Sequence, residues 1–183
     1  MNLGIYPGSF NPVHDGHIKI VKYLLNNNYV DKILMLPTPS YWDKQDLISL
    51  KDRINMLKFY EDKNIIIDNI HNNCPFTYQV LKSLEKDFPS DYFYLIIGSD
   101  NLLTLDKWKN ISDILKHKII VMNRGNNSLE IEKMVYKLGK EHFIVINDFP
   151  YINISSTVIR EGSNKYLNIK VLNYIKNNHL YGR

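Results

Sequence analysis

Short, nearly unbroken apolar runs alternate with amphipathic stretches along this chain, and that alternation constrains its fold more than any other feature. The runs are Leu3–Tyr6, Lys32–Leu36, Asn64–Asp68, Tyr92–Ile97, Lys118–Met122 and Phe143–Ile146, rich in Ile, Leu, Val and Tyr. A strand with one wet face alternates apolar and polar side chains, whereas a parallel strand covered on both faces does not. Helical patterns fill the gaps near 16–27, 49–60, 77–87, 107–116 and 128–140. The order predicts an α/β fold, a doubly wound parallel sheet with right-handed crossovers and helices on both faces. Ligands of such sheets bind beyond the carboxyl ends of the strands, near the switch in strand order.

The turn after the first run sits at such a place. Gly8-Ser9-Phe10-Asn11-Pro12-Val13-His14-Asp15-Gly16-His17 follows Leu3-Gly4-Ile5-Tyr6 and precedes the helical pattern of Ile18, Ile20-Val21 and Leu24-Leu25. A helix N-terminus offers free backbone N–H groups and a partial positive charge, hence an anion site. Gly8 and Gly16 allow close backbone approach to a ligand, and Pro12 stiffens the turn. His14 and His17, three residues apart, can project from one side of the first helical turn toward the same oxygen. The segment reads as a phosphate-handling, catalytic site.

A second candidate lies near the other end. Ser155-Ser156-Thr157 ahead of Val158-Ile159 reads as a capped helix start, and Arg160 can fold back onto the same turn. Hydroxyls, free N–H groups and a guanidinium make a second anion cradle. Two cradles in one chain of 183 residues point to a polyphosphate held at both ends. Val171, Leu172 and Ile175 form a last helical stripe. With no linker or repeat, 1–183 is expected to be a single domain whose C-terminal part, about 155–183, completes the nucleotide site.

Composition narrows the classes. The formal charge of +4 is modest and scattered, without the basic block that tracks a nucleic-acid backbone. One cysteine, Cys74, excludes an internal disulfide and a Cys-based zinc cluster, and is expected to be a structural thiol. No apolar run is long enough to span a bilayer, and the chain opens directly into its first strand. A cytoplasmic protein with small-molecule partners, no nucleic acid and no membrane is the expectation. His71, His117, His142 and His179 lack a metal-ligand spacing and are expected at the surface or at helix ends.

The first motif resembles the signature Gly-[Thr/Ser]-Phe-Asp-x-x-His-x-Gly-His of the nucleotidyltransferase superfamily. Ile154-Ser155-Ser156-Thr157-Val158-Ile159-Arg160 is similar to its C-terminal motif Ile-Ser-Ser-Thr-x-Ile-Arg. Ile97-Gly98-Ser99-Asp100-Asn101-Leu102-Leu103 with Leu105 and Trp108 resembles a segment of the bacterial nicotinate mononucleotide adenylyltransferase family. Thr77-Tyr78 with Val80-Leu81, Leu36-Pro37-Thr38 with Lys44, Asn123-Arg124-Gly125, and Tyr174-Ile175 with Leu180-Tyr181 extend that likeness over nearly the whole chain. Pro7 in place of the usual first glycine is closer to phosphopantetheine adenylyltransferase. Asn11 replaces the common aspartate, and Ser40-Tyr41-Trp42-Asp43-Lys44 lacks the usual His/Pro-rich loop.

The resemblance implies a Rossmann-like fold and the transfer of an adenylyl group from ATP to nicotinate mononucleotide, with release of pyrophosphate and with Mg2+ accompanying ATP. It assigns catalysis to His14, His17 and Arg160, with His17 nearest the α-phosphoryl, His14 toward the leaving group and neighbouring phosphates favouring their charged forms. Gly8, Ser9, Phe10, Gly98, Asp100, Ser156 and Thr157 join them in binding ATP, and no residue is assigned as a metal ligand. Lys44, Thr77, Tyr78, Trp108 and Arg124 form the mononucleotide-binding set. Trp108 offers a π face to a pyridinium or packs on the core as a helix residue. Asp100 meets a ribose hydroxyl or caps a helix. Tyr78 meets the nicotinate carboxylate or packs its helix, and Arg124 approaches the ligand or stands in a solvated turn. Trp42 is a candidate lid residue. The rival functions are phosphopantetheine adenylyltransferase, another transferase of the superfamily, and a non-catalytic nucleotide-binding regulatory module.

Overall fold

The computed structural model describes residues 1–39 and 47–183. Six strands form one sheet: β1 (Asn2–Gly8), β2 (Lys32–Pro37), β3 (Ile65–Ile67), β4 (Tyr92–Gly98), β5 (Lys118–Met122) and β6 (Phe143–Ile146). Every pairing is parallel, in the order β3-β2-β1-β4-β5-β6. The strand order reverses between β1 and β4, so their carboxyl ends, Gly8 and Gly98, face the crevice where such sheets bind ligands.

The unbroken apolar runs have a simple cause, because each strand feeds two cores in alternation. Tyr6, Ile33, Met35, Ile96, Ile120 and Met122 point to one face. There they meet Val21 and Leu24 of α1 (Asp15–Asn26), Met56 and Leu57 of α2 (Leu50–Leu57), and Val171 and Ile175 of a C-terminal helix. Leu3, Ile5, Leu34, Leu36, Leu95, Ile97, Ile119 and Val121 point to the other. Leu81 and Leu84 of α3 (Thr77–Asp87), Leu102 of α4 (Ser99–Leu102), Ile114 of α5 (Ile111–Ile114) and Ile131 of α6 (Ser128–Leu138) cover that face. A polar residue on either side of a central strand would be buried, which removes the two-residue alternation.

The expected stripe from 107 to 116 is not one helix. Leu105–Lys107 is a turn of 3-10 helix, Trp108 is extended (φ −72°, ψ 142°), and Asn110 takes a left-handed conformation (φ 52°) before α5. Leu105 and Ile114 are fully buried, so two separate turns reproduce the apolar spacing of one helix. The pattern near 49–60 likewise divides into α2 and a 3-10 turn at Lys58–Tyr60.

The tail returns to the first motif. α7 (Ser156–Arg160) and α8 (Ile169–Asn177) follow β6, and Ser155 caps α7 by accepting the Val158 N–H at 3.4 Å, as the hydroxyl cluster predicts. Lys19 of α1 donates to the Pro150 carbonyl, and the Tyr23 hydroxyl reaches Asp148 at 3.3 Å. These bonds lay the segment before α7 along α1. Among the described residues no helix is long and apolar enough to cross a membrane.

Candidate active site

The first motif is a connector in which each side chain locks the next. Phe10 is buried and stands edge-on to Tyr6 (5.6 Å between centroids) and to His17 (5.0 Å). It adopts φ 43°, a left-handed conformation that is uncommon for a large side chain and here turns its ring back over the strand end. A Cβ on Gly8 would lie 2.9 Å from Phe10 Cζ, so the lack of a side chain at Gly8 makes room for this ring. The Asn11–Pro12 peptide bond is cis.

His14 is the N-cap of α1. Its Nδ1 accepts the Gly16 N–H at 3.1 Å, and the His17 Nδ1 accepts the His14 N–H at 3.2 Å. The two histidines thus form a reciprocal capping box, a task usually given to Ser or Thr with Glu. With Nδ1 accepting, the proton of each neutral ring sits on Nε2, the nitrogen left to donate. The rings stack 3.7 Å apart at 27°. Burial, helped by the nearby Arg124 guanidinium, lowers the His14 pKa to about 4. His17 is pushed well below the ordinary histidine value by burial, with His14 and Arg124 acting in the same direction. Both shifts favour neutral rings at neutral pH, each a donor through Nε2.

Arg124 enters this site from the turn after β5, and its N–H donates to Ser99 Oγ at 3.0 Å. Ser99 in turn donates to Asn126 Oδ1 at 2.5 Å. Burial pushes the Tyr6 and Tyr151 phenols up to about 12, while the Arg124 guanidinium beside them acts oppositely. A Cβ on Gly98 would come within 2.4 Å of Asp100 Oδ1 and 3.3 Å of Arg124 Nε. The absence of that atom lets the Asp100 carboxylate and Arg124 share the end of β4. Asp100 lies inside α4, whose N-cap is Gly98, so its helix-cap alternative does not hold. His14, Gly16, His17, Arg124, Tyr151 and Ser156 are among the residues lining one cleft of about 440 Å³.

The C-terminal motif docks on the first. Ser156 Oγ donates to the Pro12 carbonyl at 2.9 Å, and Arg160 Nη1 donates to the Asn11 carbonyl at 2.9 Å. Arg160 Nη2 reaches Thr157 Oγ1 at 3.2 Å. Sequence reasoning missed what completes this corner. Asn11 is buried, and its Oδ1 accepts from the Tyr181 hydroxyl at 2.8 Å and from the Ile48 N–H at 3.4 Å. Arg53, fully buried in α2, donates through Nη1 to the Ser9 and Thr38 carbonyls, both at 2.7 Å, and through Nε to the Ile48 carbonyl at 3.3 Å. One guanidinium therefore ties the loops after β1 and β2 together. Its only sequence signal was a charge on the apolar side of a helical pattern.

A second cleft, about 300 Å³ and mainly apolar, opens on the opposite face of the same strand ends. Ile5, Pro7, Leu36 and Leu95 form its floor, and the segment Cys74-Pro75-Phe76-Thr77 forms a wall. Thr77 is therefore in a cleft as expected. Tyr78 faces a different groove with Lys82, Glu85 and His117 and stacks on Phe76 at 6.1 Å. Trp108 packs against the Leu81–Leu105–Ile114 core and lines neither cleft. Lys44 and Trp42 lie outside the described residues. His71, expected at the surface or at a helix end, opens the 3-10 turn His71–Asn73 and is buried there, so the helix-end alternative holds and the surface one does not.

A six-stranded doubly wound sheet with paired histidines at the first strand end places the chain in a class, and the comparisons agree. The chain belongs to the cytidylyltransferase-like family, whose model matches residues 5–162. Within it, the relatives share one name. A Clostridium tetani protein called "Probable nicotinate-nucleotide adenylyltransferase" is 34% identical, over 97% of this chain and 97% of its own length. A Borrelia hermsii protein of the same name is 34% identical over 99% and 98%. Among solved structures, Plasmodium falciparum nicotinic acid mononucleotide adenylyltransferase complexed with NaAD superposes with a TM-score of 0.80. That pair shares 22% identity over 99% of this chain and 97% of the other, a likeness of fold.

Proposed function

We propose that this chain joins ATP and nicotinate mononucleotide to give nicotinate adenine dinucleotide and pyrophosphate. The observation that carries the reading is the pair of clefts flanking the carboxyl end of β1, one lined by His14, His17 and Arg124, the other mainly apolar. The first suits the triphosphate of ATP and the second an aromatic ring. A phosphate joined to that ring would reach the strand end between them. The names carried by the C. tetani and B. hermsii relatives support the choice of substrate.

In this scheme a phosphate oxygen of the mononucleotide attacks the α-phosphorus of ATP. The bond from that phosphorus to the bridging oxygen breaks, and pyrophosphate leaves with the electron pair. The nucleophile is already an anion, so no base has to remove a proton, and alignment with charge stabilisation suffices. The Nε2–H groups of His14 and His17 are fixed as donors by the bonds at Nδ1 and point charge-stabilising dipoles at the transferring group. Arg124 adds a positive charge on the same side. Arg160 and Thr157 take the outer phosphates. The N–H groups of Thr77 and Tyr78 open α3, where Phe76 supplies no side-chain cap, and suit the nicotinate carboxylate. Among the described residues no group of three or more His, Cys, Asp or Glu could hold a metal ion. Magnesium would accompany ATP as part of the substrate and would neutralise phosphate charge there.

The test is pyrophosphate release from ATP and magnesium with nicotinate mononucleotide, nicotinamide mononucleotide and phosphopantetheine supplied separately. Release with a pyridine mononucleotide is expected, the nicotinate form being preferred. Release with phosphopantetheine alone would move the chain to the neighbouring enzyme class. Silence with all three from a sample that binds ATP would favour a regulatory module.

A further inference from the structure

Behind the wall of the apolar cleft lies a cluster that the proposed reaction does not use. His71 and Asp68 are 5% and 4% exposed. The His71 Nδ1 meets Asp68 Oδ1 at 2.6 Å, and its Nε2 meets Asp87 Oδ2 at 2.9 Å. The His71 N–H also donates to Asp68 Oδ2 at 3.0 Å, and the Asp68 N–H continues the β2 ladder by donating to the Met35 carbonyl at 2.9 Å. Asp87 is the last residue of α3. The clasp therefore fastens one short segment to the sheet at one side and to α3 at the other.

That segment runs directly into the cleft. The Cys74 N–H donates to the His71 carbonyl at 3.4 Å, and Cys74, Pro75, Phe76 and Thr77 form the cleft wall. A buried polar cluster is a poor source of stability, because desolvation offsets what its bonds gain. What two directional bonds to one ring do fix is where the segment lies. We infer that His71, held between Asp68 and Asp87, is a positioning residue that sets the wall of the apolar cleft and so the affinity for the ring-bearing substrate. The inference rests on the reading that the mononucleotide occupies this cleft.

Two variants test it. His71→Gln removes the clasp at its centre. Asp87→Ala removes the acceptor of His71 Nε2 at a side chain that is 55% exposed. Each is expected to raise KM for nicotinate mononucleotide about fivefold or more, while KM for ATP stays within about twofold. A general loss of structure would move both constants and kcat together. Alkylation of Cys74 by iodoacetamide supplies a readout that needs no turnover. Loosening the wall should speed it about threefold or more in both variants, since local opening exposes the thiol. Equal changes in the two KM values, or none, would overturn the inference, and so would unchanged alkylation. Should the wild type turn over no pyridine mononucleotide, the functional reading fails by itself and the alkylation rates still decide whether His71 holds the wall.

Discussion

The imidazole rings of His14 and His17 lie face to face at 3.7 Å, each accepting a backbone N–H of the α1 N-terminus at Nδ1. Cap and proposed catalytic donor are the two nitrogens of one ring, Nδ1 facing the helix and Nε2 left to donate. The helix holds the rings in place, and the rings present two fixed Nε2 donors to the cleft. Replacing either histidine with alanine should lower turnover about a hundredfold or more, the usual effect of removing one donor from a developing oxyanion. Steady-state kinetics on the single variants check this, and near wild-type turnover in both would remove the histidines from the reaction.

The same burial predicts a pH dependence of stability. The His14 pKa is lowered from 6.5 to about 4 in the folded chain, and His17 is lowered as well. The unfolded chain binds these protons first as pH falls, so stability is complete above pH 6.5 and declines toward pH 4. For His14 the full effect is roughly 3 kcal/mol. Urea midpoints at pH 7 and pH 5 should differ more for the wild type than for His14→Gln.

Gly16 has no room for a methyl group. A Cβ there would lie 2.9 Å from His14 Nδ1 and 3.1 Å from Ile154 Cγ2. Gly16→Ala should displace the His14 ring from its cap and cut kcat about tenfold or more, since small misplacements of a catalytic group are costly. The thermal midpoint should fall far less than the activity does.

Much of this was legible in the chain. The ends of α3, β5 and β6 match the predicted 77–87, 118–122 and 143–146, because unbroken apolar runs and helical stripes report burial directly. Both candidate motifs were readable, since helix starts with a fixed residue spacing are local. Arg53, the Asn11–Tyr181 bond and the His71 clasp were not. Each includes a bond between residues 16 or more positions apart, which the fold and not the local sequence brings together. The split of 107–116 was hidden for the opposite reason, as two short turns happen to copy the spacing of one helix.

Arg53 should prove structural in a specific way. Arg53→Met leaves the carbonyls of Ser9, Thr38 and Ile48 without their shared donor. Each buried unpaired carbonyl is unfavourable, and a loss of about 3 kcal/mol or more is expected from denaturant unfolding. A loss under about 1 kcal/mol would show that the loops hold without it.

The single cysteine reports on the second cleft. Cys74 is partly exposed and lines it. Nicotinate mononucleotide at ten times its dissociation constant should slow alkylation of Cys74 about tenfold by mass action, whereas ATP alone should leave the rate unchanged. Protection by ATP and not by the mononucleotide would exchange the two clefts.

The central claim is tested most directly by product analysis. Incubation with ATP, magnesium and nicotinate mononucleotide should yield nicotinate adenine dinucleotide and pyrophosphate in equal amounts, both abolished together in His14→Ala, His17→Ala double variants. ATP consumption without the dinucleotide, or dinucleotide formation that survives loss of both histidines, would contradict it.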